Sequence, residues 1–139
     1  MVTLSSVFID DFAGTGNQAC ESWKDFFSEI VPREPRKILN LVVTSNQARE
    51  KIKNETDLEV LNDIDLFDAD NIFHDACHHF NRADKGVILH YCRRADNANP
   101  RGYGDCGYVV VFPDRCPNNS IPILHASHQR WYGLFPRND

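Results

Sequence analysis

Residues Ile38–Thr44, ILNLVVT, are seven consecutive positions without a charge, and this run restricts the fold more than any other. Its branched aliphatic residues suit a pleated surface, and its weak polar alternation predicts a strand buried on both faces, as in a parallel sheet. Upstream, Val7–Ile9 reads the same way, as a strand beginning nearer Val2. Between the two, Ala19, Trp23, Phe26, Phe27 and Ile30 recur at helical spacing over Asn17–Val31, with Pro32 and Pro35 to stop the helix. Strand, helix and strand in this order predict the α/β class, with a mainly parallel sheet flanked by helices and a partial Rossmann-like core.

Further along, Ser45 is placed to cap a short helix through Ile52, and a brief strand falls near Leu58–Leu61. Asp70 caps an expected helix over Asn71–Phe80. Gly86–Cys92 is short enough for a strand or a helix, and its apolar spacing favours a helix that continues to Ala95 with Asp84 as its cap. A loop over Asp96–Gly104 leads to an expected strand, Tyr108–Phe112. The stretch PNNSIPIL, residues 117–124, reads as extended and proline-flanked before an aromatic tail. At 139 residues the chain reads as one domain over 1–139.

Charge and composition narrow the function. The net charge is −5, unevenly spread: residues 1–75 carry 7 basic and 15 acidic side chains, the remainder 8 and 5. Nucleic-acid binders usually show a basic stripe, so nucleic acid is not the expected partner. No apolar run is long enough for a membrane span, and the start lacks the pattern of a signal peptide. A cytoplasmic location follows. Five cysteines at irregular gaps argue for reduced, buried thiols rather than a disulfide framework.

The chemistry concentrates in VFIDDFAGTGNQA, Val7 to Ala19. Gly14 and Gly16 allow positive backbone angles and close approach of a ligand to the main chain. The loop enters a helix N-terminus, where free amides and the dipole favour an anion. A phosphate monoester would sit on the amides of Ala13, Gly14, Thr15, Gly16 and Asn17 and on the Thr15 hydroxyl. Asp10 and Asp11 would repel a bare polyphosphate, whereas they would accept hydrogen bonds from the vicinal hydroxyls of a sugar. Successive strand residues point to opposite faces, so one of the two carboxylates reaches the sugar directly. The expected ligand is therefore a phosphorylated ribose, bound beyond the carboxyl ends of the strands.

Competing motifs fit less well. Gly14 to Ala19 matches the dinucleotide fingerprint G-x-G-x-x-A, but that fingerprint wants an acidic residue at the end of the second strand, where Thr44-Ser45-Asn46 stands. A Walker A loop needs Gly-Lys-Ser/Thr, and Gly16 is followed by Asn17-Gln18. A tight turn with no ligand is the plainest alternative.

Hydrophobic positions, two acidic residues and a small-residue loop over Val7–Ala19 resemble the phosphoribosyl pyrophosphate motif of type I phosphoribosyltransferases. The C-terminal stretch, with Gly102-Tyr-Gly-Asp105, YVVVF, residues 117–124, Trp131 and Leu134-Phe-Pro-Arg137, resembles a bacterial phosphoribosyltransferase-like group with a C-terminal extension. That group is associated with defence, retron-like and mobile-element systems. The resemblance implies that Asp10 and Asp11 meet the ribose, that Ala13–Asn17 hold its 5-phosphate, and that Mg²⁺ accompanies bound phosphoribosyl pyrophosphate or a nucleotide. It also implies a pyrophosphate-binding part before the motif, yet only six residues precede Val7. The expectation is the C-terminal half of the family's core plus an extension over about 100–139, binding its ligand and transferring phosphoribose only if completed by another chain or a second copy. A non-catalytic interaction module with a vestigial pocket is the alternative.

Other features read more plainly. His74, Cys77, His78 and His79 invite a zinc site, but neither HExxH nor CxxC is present, and an amphipathic helix with histidines at its edge suffices. Cysteine nucleophilic catalysis with His90, His125 or His128 has no local signature. Arg93, Arg94 and Arg101 are suited to a second anionic group such as pyrophosphate, against a solvated loop. Asn118 and Asn119 have amides for reading a base or capping backbone groups, and Arg137 enters as a secondary candidate.

Overall fold

The protein's structure, a computed structural model, describes residues 5–30 and 36–137. The expected strand start near Val2, the helix end at Val31 and the stops at Pro32 and Pro35 lie outside the described residues. The chain clusters into two compact units, residues 1–66 and 67–139.

The first unit is the expected α/β layer. Strands β1 (Ser5–Ala13), β2 (Arg36–Ser45) and β3 (Glu59–Leu66) form a parallel sheet in the order β1-β2-β3. β3 runs longer than the expected 58–61. Helix α1 (Asn17–Ser22) passes through a π-helical turn, Trp23–Phe27, into α2 (Ser28–Ile30), and α3 (Asn46–Glu55) joins β2 to β3. Two successive crossovers of the same hand in a 1-2-3 order put α1 and α3 on one face of the sheet. There Cys20, Trp23, Ala48 and Ile52 pack on Leu39 and Leu41.

That topology corrects the expectation that the strands are buried on both faces. Val7, Ile9, Val42 and Leu61 lie on the face away from the helices and are exposed, Ile9 at 80%. Phe26 is also corrected, since it is exposed rather than part of the buried stripe. The i→i+5 bonding of a π turn widens the helix there. Trp23 and Phe27 both meet the Phe8 ring, at 6.0 and 4.8 Å, while Phe26 turns outward.

The second unit carries α4 (Arg82–Ala95), α5 (Pro122–His125) and the small antiparallel pair β4 (Ser127–His128) and β5 (Trp131–Tyr132). Its core gathers Ile72, Cys77, Cys92, Cys116, Ile121 and Leu124. The expected helix at α4 is present, but its N-cap is Asn81 rather than Asp84. Asn81 Oδ1 accepts from the Asp84 amide at 2.9 Å, and Asp84 Oδ2 accepts from the Asn81 amide at 3.2 Å.

Three local expectations fail for local reasons. Asn71–Phe80 is a chain of turns, not a helix. The Asp70 carboxylate bonds back to the Phe67 amide, and the Asn71 side-chain carbonyl accepts from the Phe73 amide, so neither serves a helix start. Tyr108–Phe112 is not a strand either. Tyr108 makes a single bridge to Ser120, beyond which the Ser120 hydroxyl both accepts from the Val110 amide and donates to the Val110 carbonyl. That hydroxyl takes up both Val110 groups that a ladder would use next, and Pro122 opens α5 where extended chain was expected.

All five cysteines are free and buried, as expected. No helix among the described residues is long and apolar enough to cross a membrane.

Candidate functional site

The glycine loop leaves the carboxyl end of β1, directly after Ala13. Of its two glycines only Gly16 uses a left-handed angle, φ 77°; Gly14 does not, which corrects the expectation for that residue. Gly16 is required for a second reason. A Cβ there would lie 3.0 Å from the Ala48 carbonyl oxygen and 3.2 Å from Ala48 Cα, so the loop rests directly on the first turns of α3.

Two hydroxyls shape the turn. The Thr15 hydroxyl accepts from the Asn17 amide at 3.3 Å. The buried Ser45 hydroxyl donates to the Gly14 carbonyl and accepts from the Ala48 amide at 2.9 Å, thereby capping α3 and tying the loop to it. The sequence identifies Ser45 only as a helix cap.

The acidic pair lies inside β1 rather than beyond its end; Asp10 is in register with Leu41, and three further residues complete the strand. The pair splits across the sheet as strand geometry demands. Asp10, with Phe8, faces the helical side and lines a cleft of about 180 Å³ with Gln18, Ser22, Trp23 and Phe27. Asp10 is exposed and Asp11 half-buried, and the Asp10 carboxylate accepts from the Asp11 amide at 2.8 Å.

A cation that sequence reasoning missed completes the loop. Lys51 on α3 donates to Asn17 Oδ1 at 2.6 Å, with the Glu55 carboxylate 3.7 Å away. Only the packing of α3 against the loop brings them together, since 34 positions separate them. Its neighbour Arg49 is otherwise engaged, bonding Asn62 and Asp65, and that bond holds the Asp65 carboxyl below its ordinary value.

The secondary candidates belong to the C-terminal unit. Asn119 is 7% exposed, and its amide donates to the Tyr103 carbonyl at 3.1 Å and to Cys106 Sγ at 3.4 Å, which is the backbone-capping arrangement. Asn118 is exposed and its carbonyl accepts from the Tyr103 amide at 2.8 Å. Arg137 is exposed, its amide donating to the His125 carbonyl at 3.2 Å.

Among the described residues no group of three His, Cys, Asp or Glu side chains is placed to hold a metal ion. The His74–His79 segment is turns, so His74 and His78 share no helix face. Burial pushes the Cys20, Cys106 and Cys116 thiols up, and Cys92 up to about 11, which keeps them protonated and poor nucleophiles.

No curated protein and no solved structure matches the chain. A family model described as PRTase-CE matches residues 4–137, nearly its whole length. A parallel sheet with an acidic β1 and a glycine loop running into α1, followed by the C-terminal extension, accords with that match, and the chain belongs to the PRTase-CE family, a phosphoribosyltransferase-related family.

Proposed function

We propose that the β1–loop–α1 motif binds the ribose 5-phosphate group of phosphoribosyl pyrophosphate or of a nucleotide. The observation that carries this reading is the loop at Thr15–Gly16. It turns on a left-handed glycine at the carboxyl end of a parallel strand, opens a helix, and has the Lys51 ammonium bonded to Asn17 within it. Such a turn gathers backbone donors on one side, and the ammonium adds charge for a phosphate. Asp10 accepts from the ribose hydroxyls in the cleft beside α1. At about 180 Å³ that cleft suits a sugar better than a dinucleotide, since pockets for larger ligands run to roughly 300–1,000 Å³. Asp11 faces the other side of the strand and acts on Asp10 through its amide.

Magnesium would arrive on the pyrophosphate oxygens, because Mg²⁺ commonly binds through one or two carboxylates plus substrate phosphates. Asp10 is the residue suited to contribute such a carboxylate, and the ion would neutralise the leaving group in any transfer.

A second reading also has an observation in its favour. The helix-free face of the sheet exposes Val7, Ile9, Val42 and Leu61, which suits an interaction module of a bacterial defence or mobile-element system, or completion by a second copy.

Calorimetric titration with phosphoribosyl pyrophosphate and Mg²⁺ tests the leading reading. Wild-type heat that Asp10→Asn/Asp11→Asn removes supports it; no heat at millimolar ligand overturns it. Solution mass, read alongside, gives the expected dimer for the second-copy arrangement.

A further inference from the structure

A larger cleft, about 790 Å³, opens wholly within the C-terminal unit. It lies between the turns at residues 73–80, the first turns of α4, and Arg101. Its charge runs against the chain: Arg82, Lys85 and Arg101 line it with a single carboxylate, Asp75, in a protein of net charge −5. Its walls also carry two phenyl rings, Phe73 and Phe80, the latter 37% exposed.

Two of the three cations are held in place before any ligand arrives. Lys85 donates to the His74 and Cys77 carbonyls at 2.7 and 2.8 Å, and an ammonium has three donors, so one remains. The Arg101 guanidinium lies over the Phe73 ring at 5.5 Å. Both residues of that stack are held through their main-chain groups: the Gly107 amide donates to the Arg101 carbonyl at 2.7 Å, and the Phe73 amide donates to the Asn71 side-chain Oδ1 at 3.0 Å. Pre-oriented cations lose little freedom on binding, which favours a built site over a solvated patch.

We infer that this cleft binds a phosphate monoester carried on a flat ring. Three cations against one carboxylate leave a surplus of two charges, matching the roughly −1.5 to −2 of a phosphate monoester at neutral pH. The arginine forks offer paired donors to phosphate oxygens, and the exposed Phe80 ring, beside the Arg101–Phe73 stack, offers a surface to a planar ring. An aryl phosphate and a nucleoside 5′-phosphate share that chemistry. The site is independent of the glycine loop and stands or falls separately from it.

An amide-resolved NMR titration of the full chain tests it, with phenyl phosphate, adenosine 5′-monophosphate and inorganic phosphate as probes. Phenyl phosphate, which has no ribose, should shift the amides of residues 73–86 and 101 saturably, and inorganic phosphate should bind several-fold more weakly. Adenosine 5′-monophosphate shifting the same amides more tightly than phenyl phosphate identifies a nucleotide as the natural class, and the reverse order identifies an aryl phosphate. Arg82→Gln/Arg101→Gln should weaken phenyl phosphate at least about tenfold, and Arg82→Gln alone should weaken it in the same direction. Asp10→Asn/Asp11→Asn should leave it unchanged. Equal affinity in both arginine variants, shifts confined to residues 13–17, or no saturation at about 10 mM, the range of very weak binding, overturns the site. Inorganic phosphate binding as tightly as phenyl phosphate overturns the ring subsite.

Discussion

The Ser45 hydroxyl donates to the Gly14 carbonyl, so one buried side chain joins the end of β2 to the loop that follows β1. The same oxygen caps α3 through the Ala48 amide. Parallel pairing of Ala13 with Thr44 brings the two strand ends level, and this makes the bond geometrically available.

Ser45→Ala removes both bonds and leaves the Gly14 carbonyl buried without that donor. Loss of the cap costs ~1 kcal/mol and an orphaned buried acceptor ~1–3 kcal/mol, so a loss of about 2–4 kcal/mol is expected in urea denaturation. Ser45→Thr keeps the hydroxyl and should retain most of the stability. A loss below ~0.5 kcal/mol in the alanine variant, the range of an ordinary surface substitution, would refute the tie.

Gly16→Ala forces an L side chain into φ 77° and against the Ala48 backbone. The angle alone costs ~1–2 kcal/mol, and neither Ala48 oxygen nor Ala48 Cα can move aside as a side chain could. The expected result is a lower melting temperature together with weaker binding of phosphoribosyl pyrophosphate. Gly14→Ala, at an angle outside the left-handed region, should cost less by the same two measurements.

Gly86→Ala should do the opposite. Gly86 sits inside α4, and a Cβ there meets nothing within 4 Å. Alanine is the better helix former by ~0.5–1 kcal/mol, so the variant should unfold at higher denaturant with an unchanged m-value.

His125 predicts a pH dependence. Burial, with a further contribution from Arg137, lowers its pKa below the ordinary 6.5, while its Nε2 lies 3.1 Å from the Ser120 carbonyl. Above 6.5 the imidazole is neutral whether the chain is folded or not. Below it the unfolded chain takes up the proton first, so stability falls as pH drops from 6.5 toward the folded pKa. Thermal melts between pH 7.5 and 5.5, about one unit either side of the ordinary value, should show this slope in the wild type and a shallower one in His125→Gln.

Much of the first unit is legible in the sequence. Apolar runs at Val7 and Ile38, a helical stripe between them and a serine cap after them dictate strand, helix, strand and helix, because local hydrogen bonding and side-chain periodicity act within a few residues. The glycine loop is legible for the same reason. The middle of the chain is not: Asn71, Lys85 and Ser120 satisfy backbone groups with side chains, and such bonds leave no period in the sequence.

The amino-acid sequence by itself determined the parallel α/β order, the glycine turn and the division of the two aspartates between opposite faces of a strand. Tertiary structure alone decided which of them faces the helices, that Lys51 meets Asn17 across 34 positions, and that Val7, Ile9, Val42 and Leu61 stand exposed on the sheet face away from those helices. The reason is topological: the hand of two crossovers sets which face the helices take, and no local pattern of residues records where distant side chains will then meet.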